Sequence, residues 1–246
     1  MIAGITGLGR FGGFLATLVV ASVTHRPPIR STFEEAYRIG VRSLPILLTI
    51  SVFVGTNLSV QGYNAFAPLG GQRLIGMFVA LAGVRELAPI MVAAMVAAKA
   101  GTEMASQIAV MRIRQQIDAL EVMSINPHWY LVTPRLFGIV LVLPALTVLS
   151  VFALVTASWL VAIFQLGLNG QQFIEYASST TRLVDLWYCM VKAFAFGITI
   201  CVVSCYYGFQ SSPGPSGVGS ATNAAVVSSA VACAVSNYLL SRVLYG

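Results

Sequence analysis

The chain has 246 residues, 57% of them hydrophobic and only 9% charged, with a formal net charge of +6 and a mean hydropathy of +0.84. Soluble domains carry about 25% charged residues, so a soluble fold is excluded and membrane spans become the unit to count. The basic excess, crowded at Arg26, Arg30, Arg38 and Arg42 and again from Arg112 to Arg135, is of the kind that orients a membrane protein rather than one that binds nucleic acid.

The first apolar run, Phe11 to Val23, follows Arg10. It has the outline of a secretory signal, but it is short for a span, and Gly7, Gly9, Gly12 and Gly13 weaken it as a helix. The reading is an interfacial helix lying along the membrane, followed by a polar approach from Arg26 to Arg42. Residues 43–72 carry no charge, and Leu44 to Val60 reads as the first span. Gln61 to Asn64 and Pro68 to Gly71 make the first turn. A second apolar helix begins near Leu74 and runs past Ala98, interrupted by Arg85-Glu86.

The segment Arg112 to Pro127 is the densest polar stretch of the chain. Within it Ile117, Leu120 and Ser124 share one helical face, with Asp118 and Glu121 on the next. This spacing predicts a short amphipathic helix over 112–125, closed by Asn126-Pro127 because proline drives the preceding residue out of the helical region. Pinned between two spans, such a helix can take a push from a partner.

Residues 136–174 are again free of charge, and Phe137 to Phe164 supplies the third span. Gly167 to Asp185 is a polar loop with room for short helices. The fourth span runs from Leu186 to Phe209, and the Pro- and Gly-rich stretch from Gln210 to Gly217 breaks it. The fifth, Val218 to Leu240, is rich in Ala, Ser and Val, small residues that let helices approach closely in lipid. The expected fold is therefore all-α: five transmembrane helices, an N-terminal interfacial helix and a cytoplasmic coupling helix. It forms a single domain over 1–246, with 1–42 as the N-terminal segment and 43–246 as the core. The distribution of basic residues places the N-terminus and the central helix in the cytoplasm and Gly246 outside it. No internal repeat is visible, which argues against inverted-repeat secondary transporters.

Arg85-Glu86 falls near the middle of the second span, where each charge costs roughly 2.5–3.5 kcal/mol on insertion scales. Adjacent helical residues point about 100° apart, so each needs its own partner elsewhere, either in a polar site between helices or in a salt bridge that only fixes packing. Lys99 and Glu103 stand four apart and read as a local pair near the membrane surface. No catalytic constellation, no metal-ligand spacing and no phosphate-binding Gly-Lys-Ser/Thr loop is visible, so energy from ATP has to come from another chain. The four cysteines, Cys189, Cys201, Cys205 and Cys233, lie in apolar stretches and read as small buried hydrophobes.

Several pieces together resemble the MlaE/YrbE family, the permease subunits of ABC-type lipid transporters. They are Gln61-Gly62-Tyr63, Arg85-Glu86-Leu87-Ala88-Pro89, Gln116 to Met123, Asn126-Pro127, Pro134-Arg135, Cys205 to Gly208 and Gly214 to Gly219, in order over about residues 30–246. Lys99, Glu103, Gln107 and Gln115 depart from the family pattern, which has arginine, a small residue and two glutamates there. The resemblance implies a dimeric permease, of two copies or a copy and a paralogue, in a bacterial inner membrane. It implies a cytoplasmic ATPase that binds ATP and Mg2+, and an MCE-domain protein on the periplasmic side. It also implies phospholipid or similar lipid as substrate, in a pocket walled by the first, second and fifth spans that holds Leu58, Gln61, Tyr63, Arg85 and Glu86. The ATPase would grip Arg112, Arg114, Gln116, Ile117, Asp118, Leu120, Glu121 and Met123. The competing readings are an intramembrane acyl- or phosphotransferase using Arg85, Glu86 or His128, and a channel or secondary transporter.

Overall fold

A computed structural model describes residues 9–18 and 29–245. Most of those residues are helical, with no strand among them. Helix α1 covers residues 9–18; the rest of the run to Val23, the approach from Arg26 to Pro28, and Gly246 lie outside the described residues. There follow α2 (Ile29–Phe66), α3 (Gln72–Ile113), α4 (Gln116–Val122), α5 (His128–Phe164), α6 (Gly170–Thr180), α7 (Leu183–Phe209) and α8 (Pro215–Tyr245). Five of these (α2, α3, α5, α7 and α8) are long and apolar enough to cross a membrane.

The helices overrun the apolar stretches that announce them. Helix α2 begins at Ile29, so the polar approach from Arg30 to Arg42 is itself helical and continuous with the first span. Ion pairs one turn apart support this polar start: Arg30 Nε lies 3.0 Å from Glu34 Oε1, and Arg38 pairs with Glu35. The polar loop before the fourth span contains α6, capped by the Asn169 side chain, which accepts from the Gln171 N–H at 2.9 Å. Asn126 caps α5 in the same way, through the N–H groups of His128 and Trp129. Asn126-Pro127 therefore opens α5 rather than closing α4, which already ends at Val122.

The chain divides into two compact units. The first comprises Met1–Gly40, Val96–Val142 and Phe196–Cys233. Its close approaches depend on glycine: a Cβ on Gly208 would sit 2.9 Å from Ile108 Cβ and 3.0 Å from the Ala105 carbonyl oxygen. Phe14 of α1 sets its ring edge-on to Tyr206 and His128, at centroid distances of 5.7 and 5.3 Å.

The second unit comprises Val41–Met95, Leu143–Ala195 and Ala234–Gly246. Here Ser51, Gly55 and Ser59, four residues apart, make a stripe on α2 that meets α5. Ser51 and Ser150 hydroxyls lie 2.7 Å apart, Ser158 donates to the Gly55 carbonyl at 2.7 Å, and Ser59 to the Ser158 carbonyl at 2.8 Å. A Cβ on Gly55 would collide with the Leu154 carbonyl. Around this seam Leu58, Ile75, Val79, Val84, Leu154 and Phe173 form the apolar core.

Candidate substrate site and coupling helix

Each half of Arg85-Glu86 finds a separate partner on another helix. Arg85 meets Asp185 of α7 with two contacts, Nε to Oδ1 and Nη2 to Oδ2, both 3.1 Å. Asp185 also accepts from the Arg182 N–H at 2.9 Å, which ties the ion pair to the first turn of α7. Glu86 receives Lys192 Nζ at 3.0 Å on Oε1, Asn237 Nδ2 at 3.0 Å on Oε2, and the Ser241 hydroxyl at 2.9 and 3.0 Å. Two cations and two anions thus cancel, which offsets much of the cost of taking them out of water.

The backbone is shaped for this contact. Residues Val79–Leu87 form a π-helical stretch, in which the Ala88 N–H reaches back to the Gly83 carbonyl. Pro89 has no N–H to offer, so the carbonyls of Val84 and Arg85 each lose a partner within the helix. Cys189 donates its thiol to the first at 2.9 Å, and Lys192 donates to the second at 2.9 Å. Lys192 is fully buried and directs its remaining donors to Glu86 and, at 2.8 Å, to Ser241. The Tyr245 ring faces both cations, 5.2 Å from the Arg85 guanidinium carbon and 4.9 Å from Lys192 Nζ.

The other residues assigned to the substrate divide. Leu58 is buried core, its methyl close to Gly83. Tyr63 is half-buried against the same core, and Gln61 is exposed. Among the described residues no hydrogen bond joins Gln61 or Tyr63 to Arg85 or Glu86. Sequence reasoning missed Asp185, Lys192, Asn237, Ser241 and Tyr245. Lys192 had a signal, being the one charge between Asp185 and Arg242: a lone lysine in a span needs an intramembrane carboxylate.

A second charged cluster lies in the first unit. Buried Arg135 donates to Gln107 Oε1 at 2.9 Å and to the Met104 carbonyl at 3.5 Å, and its Nε lies 3.7 Å from Glu35. Arg38 meets Glu35, Gln107 at 3.2 Å and Glu103 at 3.3 Å. Glu103 and Gln107 are therefore joined with Arg38 and Arg135 in one network.

The polar helix is shorter than the spacing predicts. Arg112 belongs to α3, Arg114 follows it, and α4 itself spans Gln116–Val122 between left-handed residues Gln115 (φ 56°) and Ser124 (φ 61°). Ile117 is turned into its own chain, at 7% exposed, while Val122 and Met123 stand out at 86% and 60%. A two-turn helix needs one apolar anchor to hold it, and Ile117 is that anchor. It is not free for a partner. Arg112, Arg114, Gln116, Asp118 and Glu121 are exposed and Leu120 is half-buried.

Comparison with known proteins gives a consistent picture. The family model described as Permease MlaE matches residues 32–243. A probable ABC transporter permease protein of Rickettsia typhi is 33% identical over 233 residues, 94% of this chain and 90% of its own length. One from Synechocystis is 33% identical over 216 residues, 88% of this chain and 82% of its own. The chloroplastic protein TRIGALACTOSYLDIACYLGLYCEROL 1 of Arabidopsis thaliana is 33% identical over 216 residues, 88% of this chain and 62% of its own.

Proposed function

The chain belongs to the MlaE permease family, a family of ABC transporter permeases, and from that premise we propose that it is the membrane subunit of a lipid transporter. The substrate is a phospholipid or similar lipid, passed between a bacterial inner membrane and an MCE-domain protein on the periplasmic side. The observation that carries this reading is the Arg85–Glu86 cluster: polar, charge-balanced and within the spans, with the Glu86 side chain still 40% exposed. A carboxylate built into a span and left partly open meets a polar head, while the apolar helices around it suit acyl chains. Leu58, Gln61 and Tyr63 on α2 belong to the same route. The Arabidopsis relative, named for trigalactosyldiacylglycerol, adds support for a lipid cargo.

Hydrolysis of ATP takes place on a separate cytoplasmic ATPase, which also holds the Mg2+. The ATPase grips α4 through Leu120, Val122 and Met123, with Asp118, Glu121, Gln116, Arg112 and Arg114 around them. Because α4 hangs between α3 and α5, a push on it moves both spans. The partner permease, a second copy or a paralogue, packs against α8, whose Val227, Val231 and Val235 are each more than half exposed at 55%, 59% and 55%. Proteoliposomes holding the permease with its ATPase and MCE-domain protein test the reading: ATP-dependent movement of labelled phospholipid is expected. Chemical modification of the lipid without ATP would instead show a lipid-modifying enzyme.

A further inference from the structure

The second unit holds an open apolar groove of about 570 Å3 with no charged side chain in its wall. Its sides are Val79 and Val84 of α3, Val151 and Val155 of α5, Phe173 and Ala177 of α6. Such a volume is within the roughly 300–1,000 Å3 typical of ligand pockets. The groove is open on one side, where Phe152 and Ile174 are 71% and 52% exposed, and water has too few polar partners there to settle in it. In a membrane the apolar matter at hand is an acyl chain.

A smaller polar pocket of about 220 Å3 shares Phe173 as a wall and lies where α3 begins. Gln72, Arg73, Asn169 and Gln172 line it. Gly76 makes this meeting possible, since a Cβ there would collide with the Phe173 carbonyl and lift α6 off α3. Arg73 makes no ion pair among the described residues, and no carboxylate lines the pocket. The side chains of Gln72 and Gln172 are likewise without hydrogen bonds among the described residues. Three groups that donate hydrogen bonds, one of them cationic, thus stand beside a space that suits a hydrocarbon chain.

We propose that these two pockets form one site for an anionic phospholipid, with an acyl chain in the apolar groove and the phosphate at Arg73. An arginine fork with amide N–H groups matches phosphate oxygens. A zwitterionic head would bring an ammonium group that finds no carboxylate there, so phosphatidylglycerol binds in preference to phosphatidylcholine. The site differs from the Arg85–Glu86 cluster, and its occupancy does not depend on whether the chain transports lipid.

The test uses the full chain in nanodiscs containing phosphatidylglycerol or phosphatidylcholine with a diazirine in the acyl chain. Labelled residues are then mapped by mass spectrometry. Label from phosphatidylglycerol is expected at Val155 and Ala177, several-fold above that from phosphatidylcholine. Arg73→Gln should bring it down to the phosphatidylcholine level, and Ala177→Trp, which fills the groove, should remove both. Arg73→Gln lies at the mouth and decides the matter even if Ala177→Trp fails to fold. Equal labelling by both lipids, unchanged by Arg73→Gln, would mean a surrounding membrane lipid only and overturn the proposal. Absence of label in the groove overturns it too. So does label that disappears when the complete transporter assembles, because the groove then belongs to a partner's membrane helix.

Discussion

Lys192 Nζ lies 3.0 Å from Glu86 Oε1, with the lysine side chain wholly buried and the glutamate 40% exposed. The two ends of this ion pair are therefore not equivalent. Removing the carboxylate leaves a cation with no route to solvent, whereas removing the lysine leaves a carboxylate that solvent or a ligand can reach. Breaking a buried pair at one end costs about 3–5 kcal/mol. Glu86→Gln should approach that cost and Lys192→Met should fall clearly below it. The double variant should lose less than the sum of the two. Unfolding of the purified permease in detergent, run as a double-mutant cycle, measures all three; equal costs at the two ends would contradict the asymmetry.

Transport should respond to the same residues more than folding does. Glu86→Ala is expected to reduce lipid movement more than membrane expression, because on the proposed route the 40% exposed carboxylate meets the lipid. The variant with both Arg85→Ala and Glu86→Ala removes one cation and one anion together. Normal lipid movement by that variant in proteoliposomes would reduce the cluster to a packing device.

On α4 the positions separate by which way they point. Val122→Asp, Met123→Asp and Asp118→Arg should leave a folded permease stripped of its ATPase. Truncation of interface anchors commonly costs about 2 kcal/mol or more. Ile117→Asp should instead damage the permease itself, because it puts a charge into a site that is 7% exposed. Detergent pull-down of the ATPase, alongside a size-exclusion profile of the permease, distinguishes the two classes. Full ATPase recovery with all three surface variants would rule out α4 as the coupling element.

Gly55 should tolerate no side chain. Its Cβ would meet the Leu154 carbonyl, which belongs to backbone and cannot rotate away. Gly55→Val is expected to cost at least the upper end of the ~1–3 kcal/mol typical of overpacking. Gly219→Ala, with nothing within 4 Å of its Cβ, should be nearly neutral. Thermal unfolding of the two variants side by side makes the comparison.

Topology can be read with added cysteines at Arg114 and Glu175, both exposed. The native cysteines are buried and should stay silent. A membrane-impermeant maleimide is expected to reach Arg114→Cys from the cytoplasmic side and Glu175→Cys from the other. Reaction of both from one side would overturn the orientation.

The sequence by itself determined the spans, and it marked Arg85-Glu86 as a charged pair inside the second of them. Hydrocarbon about 30 Å thick demands about 20 apolar residues per crossing, and that demand is written into composition. It also showed that a short polar helix hangs between the second and third spans. Where helices start was less legible: hydropathy reports apolar length, so the polar first turns of α2, held by Arg30–Glu34 and Arg38–Glu35, read only as a polar approach with no helix assigned. The partners of the central charges were decided only by tertiary structure. Arg85 reaches Asp185 across 100 residues, and Glu86 reaches Lys192 and Asn237 across 106 and 151. Such pairs depend on which faces of distant helices meet, and no local spacing encodes that. The same holds for Ile117, whose place on the apolar face of α4 was plain. Whether that face turned toward its own chain or toward a partner depended on the packing around it.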